Sequence, residues 1–174
     1  MFGEARSILE IGPGGKIASD LLVKLGFSVK TLDINKNIEP DYVASADNLP
    51  VADKSFDVVL AAEILEHLPF DKIEKALSEI KRVSRMGAVI SLPHSGYVFS
   101  FAFKIPLIKR KSIIFKIPHF WKKKTSLEDH YWETGIKNYP VNKIEKEIKK
   151  AGFEIIKKHI GYDDPAHIFF ILRV

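Results

Sequence analysis

The sequence predicts an α/β protein, a doubly wound and mostly parallel sheet with an antiparallel hairpin at its C-terminal end. Three observations lead there: strand and helix signals alternate over residues 7–92, a glycine turn joins the first strand to the first helix, and two closely spaced β-rich runs close the chain. Ser7-Ile8-Leu9-Glu10-Ile11 is a short apolar run stopped by Gly12-Pro13-Gly14-Gly15, and Ile17, Leu21, Leu22 and Leu25 then recur at helical spacing. Gly26 ends that helix, and Phe27 to Asp33 alternates as a second strand, so the opening is a βαβ unit. Ile34 to Asp41 is too short and polar for a full crossover helix, and Tyr42 to Ser45 is a weak third strand.

Phe56 to Ala61 has the composition of a buried strand. Asp71 to Arg85 is an amphipathic helix through Ile73, Ala76, Leu77, Ile80 and Val83, and Ala88 to Leu92 is a second buried strand. Beyond Gly96 the periodicity lapses until the helical stretch Val141 to Ala151, closed by Gly152. Phe153 to Ile160 and His167 to Arg173 lie too close together for a crossover, which makes them antiparallel. A single domain over 1–174 is expected, with a basic and aromatic insertion or lid at about 95–140.

A hydrophobic fraction of 46% against 28% charged residues excludes a disordered or low-complexity chain. The absence of cysteine excludes a disulfide framework, a thiolate metal site and a cysteine nucleophile. No closely spaced set of metal ligands is present either, so no metal is expected. Met1 to Ile11 lacks the features of a signal peptide, and the uncharged run Met86 to Phe103 is broken by Pro93-His94-Ser95-Gly96, so a cytoplasmic protein without a spanning helix is expected. The net charge of +5 is unevenly distributed. Residues 95–127 hold eight cations (Lys104, Lys109, Arg110, Lys111, Lys116, Lys122, Lys123 and Lys124) and no acid, which leaves −3 on the remainder.

The turn from Glu10 to Lys16 sits where backbone N–H groups and a helix N-terminus receive an electron-rich ligand, and Asp33 ends the second strand 21 residues after Gly12, as a ribose-binding carboxylate would. A dinucleotide site would need a third glycine where Ile17 stands, which disfavours a nicotinamide cofactor.

Several segments in order resemble the class I S-adenosylmethionine-dependent methyltransferases, of the group that includes ubiquinone- and menaquinone-type enzymes. They are Ile8 to Gly15, Thr31-Leu32-Asp33-Ile34, Ser45 to Pro50 leading into Ser55 to Val59, Glu63-Ile64-Leu65-Glu66-His67-Leu68, Ile80 to Val83, and Ala151-Gly152-Phe153. The resemblance implies a Rossmann-like sheet of seven strands in the order 3-2-1-4-5-7-6, with S-adenosylmethionine as cofactor and S-adenosylhomocysteine as product. It implies that Glu10 holds the methionine amino group, that Gly12 and Gly14 let the backbone approach the cofactor, and that Asp33 binds the ribose with Ile34 against the adenine. Asp47 would accept from the adenine amino group, the backbone at Asn48 and Leu49 would complete the adenine edge, and Glu63 would face cofactor or substrate. One departure is Lys16, which stands where the family's G-x-G-x-G has its last glycine and would either crowd the turn or pair with the methionine carboxylate.

The expected reaction is methyl transfer to a small-molecule or lipid-like acceptor. The alternatives are an RNA methyltransferase and a non-catalytic S-adenosylmethionine-binding module. His94, directly after the fifth strand, and His130, in Asp129-His130-Tyr131-Trp132, are the candidate catalytic bases, whereas His67 is expected to be structural. The aromatic and basic segment fits three uses, namely core completion with a solvated face, contact with an anionic membrane, or contact with nucleic acid.

Overall fold

The computed structural model describes residues 2–104, 111–123 and 125–174. In chain order the elements are β1 (Ser7–Ile11), α1 (Ile17–Lys24), β2 (Ser28–Asp33), β3 (Tyr42–Val43), β4 (Phe56–Ala62), α2 (Ile73–Val83), β5 (Ser84–Pro93), β6 (Gly96–Phe103), β7 (Lys111–Pro118), α3 (Val141–Lys150), β8 (Glu154–His159) and β9 (His167–Arg173). Seven strands form one sheet in the order β3-β2-β1-β4-β5-β9-β8. Only β9 runs against its neighbours β5 and β8. The strand count, the order and the C-terminal antiparallel pair agree with the expected Rossmann-like α/β class.

Register explains where the core lies. Leu9, Val59, Ala88 and Leu172 face one another across four strands, and the next such row is Ile11, Ala61, Ile90 and Phe170. Side chains alternate across a strand, so both rows project to the same face of the sheet, and all eight residues are buried. Against them α2 places Ile73, Ala76, Leu77, Ile80 and Val83, α3 places Ile144 and Ile148, and Trp132 fills the remaining space. The β1–β2 and β4–β5 connections run in opposite directions along the sheet. With right-handed crossovers this puts α1 and α2 on opposite faces and opens a crevice at the carboxyl edge, between β1 and β4.

Three expectations need correction. The helix–strand boundary after α2 lies at Ser84, so Ser84 and Arg85 already belong to β5. The apolar stripe of α1 is not a core face: only Ser19 is buried, while Ile17, Leu21 and Leu25 are 81%, 56% and 66% exposed. Periodicity groups residues on a face but does not supply the layer that covers it. The short 34–41 connection holds, as expected, no crossover helix but a 3-10 turn at Lys36–Ile38. Finally, the segment that loses its helical period after Gly96 is a regular antiparallel ribbon, β6 with β7, separate from the main sheet. Lys109, Arg110 and Lys124 of the basic segment lie outside the described residues. Among the described residues no helix is long and apolar enough to cross a membrane.

Candidate active site

Two clefts open along the carboxyl edge of the parallel strands. The first is lined by Ile11 ending β1 and Gly12 after it, Asp33 ending β2 and Ile34 after it, Ala44 to Ala46 after β3, and Ile64, His67 and Leu68 after β4. Gly12 has φ +70°, and a β-carbon there would lie 2.6 Å from the Ile64 side chain, so both the conformation and the space require glycine. Gly14 also has positive φ, with open space where a β-carbon would point. Lys16 adopts the left-handed conformation (φ 59°), which a glycine would adopt with less strain. Its Nζ donates to the Glu39 carbonyl at 2.8 Å, so the side chain neither crowds the turn nor waits for a carboxylate.

The residues around this cleft fit an adenosyl cofactor with an amino-acid tail. Glu10 is buried at the end of β1, and its Oε2 has no hydrogen-bond partner. Burial raises its pKa, and hydrogen bonding to Ser19 counteracts this. An ammonium group would satisfy that oxygen. At Asp33, Oδ1 accepts from the Asn35 N–H at 2.7 Å, and Ile34 is 74% exposed beside it, an aliphatic edge without cover.

The expected adenine contacts fit less well. Asp47 is buried and does not line the cleft; its carboxylate accepts from Ser45 and lies 3.5 Å from Lys72 Nζ, which together with the Ser45 bond lowers its pKa. The Asn48 N–H already donates to the Ser45 carbonyl, and the Leu49 N–H to Glu79 Oε2 at 2.8 Å. Both backbone donors are thus engaged within the protein. Ser45 and Ala46 line the cleft instead.

The second cleft lies beyond β5 and is walled by Pro93 to Gly96, Val98 and Lys116 of the ribbon, Ser126, Leu127, His130, Glu133 and 165–167. Both histidine candidates border it. His94 is buried with neither ring nitrogen bonded, and desolvation, with the nearby charge of Lys116, lowers its pKa to about 4, so it is neutral at pH 7. His130 Nδ1 lies 3.2 Å from Glu133 Oε1, and both side chains are nearly buried. Glu133 also accepts from the backbone N–H groups of Ser126 and Leu127, which ties the 126–133 loop around the pair. A ring donating Nδ1–H to a carboxylate keeps Nε2 as the proton acceptor.

The two clefts meet at an edge-to-face contact between His67, on the first, and His130, on the second, with ring centroids 4.8 Å apart. Glu63 follows β4 at φ 50°; it accepts from Ser91 Oγ at 2.7 Å and lies 3.4 Å from His167 Nε2. Beneath the histidines, Glu66 is fully buried with both carboxylate oxygens unpartnered, and desolvation raises its pKa to about 8. Donor atoms of Glu66, His67 and His130 lie within 4.8 Å of one another, a grouping invisible in the sequence because His130 is remote from the other two. Sequence patterns likewise do not single out Glu133 or His167. Only the i, i+3 spacing of His130 and Glu133 hints at the pair.

A methyltransferase-domain family matches residues 9–92. A curated ubiquinone biosynthesis O-methyltransferase from Paramagnetospirillum magneticum is 32% identical over 79 residues; the match takes in 38% of this chain and about a third (32%) of that protein's length. Among solved structures, an S-adenosylmethionine-dependent methyltransferase from Mesorhizobium loti superposes with TM-score 0.66 at 15% identity, covering 99% of this chain and 92% of its own. A Burkholderia thailandensis 1,6-didemethyltoxoflavin-N1-methyltransferase, solved with its substrate and S-adenosylhomocysteine, gives TM-score 0.62 at 12% identity over 97% of this chain and 71% of that one. Strand order, glycine turn and buried Glu10 agree with these comparisons, and the chain carries a methyltransferase-domain match over residues 9–92 on the fold of the S-adenosylmethionine-dependent methyltransferases.

Proposed function

We propose that this protein methylates an oxygen or nitrogen nucleophile of a small, largely apolar acceptor bound in the second cleft. The observation that carries this reading is the meeting of the two clefts at His67 and His130, which sets a proton acceptor beside the boundary between cofactor side and acceptor side. S-adenosylmethionine, when bound, supplies a methyl group already activated by its sulfonium. In the balanced reaction the acceptor's O–H or N–H becomes O–CH₃ or N–CH₃, S-adenosylhomocysteine leaves, and the released proton passes to His130 Nε2. Glu133 orients that ring and stabilises it when protonated.

Glu10 would hold the amino group of the methionine part, Gly12 and Gly14 would admit the backbone to close approach, and Asp33 with Ile34 would grip the nucleoside. His94, kept neutral by burial, fits a role as acceptor-positioning donor better than as base. Small-molecule substrates in the names of the ubiquinone and toxoflavin relatives support the acceptor class. Alignment of the acceptor for in-line attack and exclusion of water on binding would supply much of the rate.

The test is ligand-linked stability followed by turnover. S-adenosylhomocysteine at about 100 times its dissociation constant should stabilise the native state by roughly 2.7 kcal/mol, while NAD should not. A labelled-methyl screen over small aromatic and lipid extracts should then give a product whose formation falls about 100-fold or more in His130→Ala. No stabilisation by S-adenosylhomocysteine would refute the cofactor assignment. Stabilisation without turnover on any acceptor class would favour a non-catalytic binding module.

A further inference from the structure

One face of the ribbon β6–β7 is apolar and aromatic along most of its length, and the register sets Lys111 opposite Phe103 at its far end. Tyr97, Phe99 and Phe101 lie opposite Ile117, Phe115 and Ile113, and directly opposed residues share a face. Phe101, Phe115, Ile113 and Tyr97 are 66%, 60%, 58% and 58% exposed. At the base, Tyr97 packs edge-to-face on His119, and Trp121, half-exposed, extends the same aromatic surface. The opposite face turns Val98 and Lys116 into the second cleft, and Lys116 Nζ donates to the carbonyls of His94 and Pro165, which fixes the ribbon to the body. The bare aromatic face is thus held outward by a built anchor. A two-stranded ribbon is marginal in water without a partner for its apolar face.

We infer that this face lies on an anionic lipid bilayer, apolar side down, and that the bilayer is the source of the acceptor. Charge selects this occupant. Residues 95–127 contain eight cations and no acid, so a second copy docked face to face would oppose two strongly basic segments, whereas anionic headgroups would neutralise them. Lys104 follows the free end of β6 and Lys122 and Lys123 follow Trp121, which puts cations at both ends of the apolar face. Tyrosine and tryptophan at its base are the residues that prefer the headgroup level. From Tyr97 to Phe101 and from Ile113 to Ile117 the apolar residues of this face adjoin one another without interleaved cations, which suits acyl chains better than stacked nucleobases. Because the same ribbon walls the second cleft, docking would bring that cleft to the membrane surface. This deepens, and rests on, the assignment of that cleft to the acceptor.

The experiment uses the full chain with phosphatidylcholine vesicles, with and without phosphatidylserine, some carrying brominated acyl chains. The protein should sediment with the anionic vesicles, and brominated lipid should quench Trp121, a signal that Trp121→Phe abolishes because Trp132 is buried. Lys122→Gln with Lys123→Gln should weaken anionic binding about 30-fold, from about 1 kcal/mol per cation. Phe101→Ser with Phe115→Ser, both at exposed positions, should remove the quenching. S-adenosylhomocysteine should stabilise every variant as it does the parent, so failure here is separable from failure of the cofactor assignment. Equal binding to neutral and anionic vesicles, absence of Trp121 quenching, preferential capture of single-stranded RNA, or a dimer in buffer dissolved by Phe101→Ser would each overturn the proposal.

Discussion

Glu66 offers the cleanest quantitative test of the electrostatics under the site. Its carboxyl is fully buried with neither oxygen bonded, and its pKa rises from 4.5 to about 8 through desolvation. A folded-state pKa above the unfolded one means that the folded protein holds the proton longer. The associated stability is fully present below about 4.5 and is lost as pH climbs through about 8. The neutral isostere Glu66→Gln removes this dependence. From the two pKa values, the parent should lose about 3 kcal/mol relative to the variant between about pH 5 and about pH 8. Any constant cost of burying an amide cancels in that comparison, as do the other titrating groups. Urea denaturation of both proteins at three or four pH values provides the assay, with midpoints converted through a common slope. If the stability difference between parent and variant stays flat across this range, Glu66 is not a desolvated acid, and its placement beneath the histidines is wrong.

Other substitutions probe the remaining parts. Asp33→Ala should weaken S-adenosylhomocysteine binding by about 1.5–3 kcal/mol in calorimetry while leaving the fold intact; unchanged affinity would displace the ribose from β2. Gly12→Ala should impair the same binding and lower the melting temperature, because its β-carbon would meet Ile64 in a left-handed backbone. Trp132→Ala should cost about 3–5 kcal/mol, as it empties a fully buried site and removes the indole donor to the Leu68 carbonyl. His94 carries the opposite pH sign to Glu66. Its folded pKa of about 4 lies below the unfolded 6.5, so the parent should lose stability as pH falls from 6.5 towards 4, and His94→Gln should blunt that loss in acid melts.

What was legible in the sequence was what local chemistry encodes. Gly12 and Asp33 announce themselves because a turn of that shape and a carboxylate at a strand end are short-range requirements, and both line the first cleft. The seven-strand order follows from the alternation of buried strands and helices together with the family resemblance. The internal partners of the Asn48 and Leu49 N–H groups are not legible, because they depend on Ser45 and on Glu79, one turn of chain and one helix away. The His130–Glu133 pair and its approach to Glu66 and His67 arise only when the 126–133 loop folds across the sheet edge. The first strand of the ribbon is legible in the period-two alternation of Tyr97, Phe99, Phe101 and Phe103, whereas its pairing with β7 is a longer-range property.

The sparse anchoring of α1 bears on how the protein behaves before it meets its cofactor. The helix is eight residues long with one buried side chain, well short of what holds an isolated helix together in water. Its backbone should therefore open far more often than α2, and its amide hydrogens should exchange with solvent orders of magnitude faster than those of the Leu9 and Val59 strands. The turn that begins this helix is also where the glycines wait for a ligand. Occupation of the first cleft would then tighten α1 without any change of contacts elsewhere, and part of the intrinsic binding energy would be spent on ordering it. Affinity for the cofactor would become adjustable from the solvent side, through a helix-favouring substitution at a position such as Val23, which does not line the cleft.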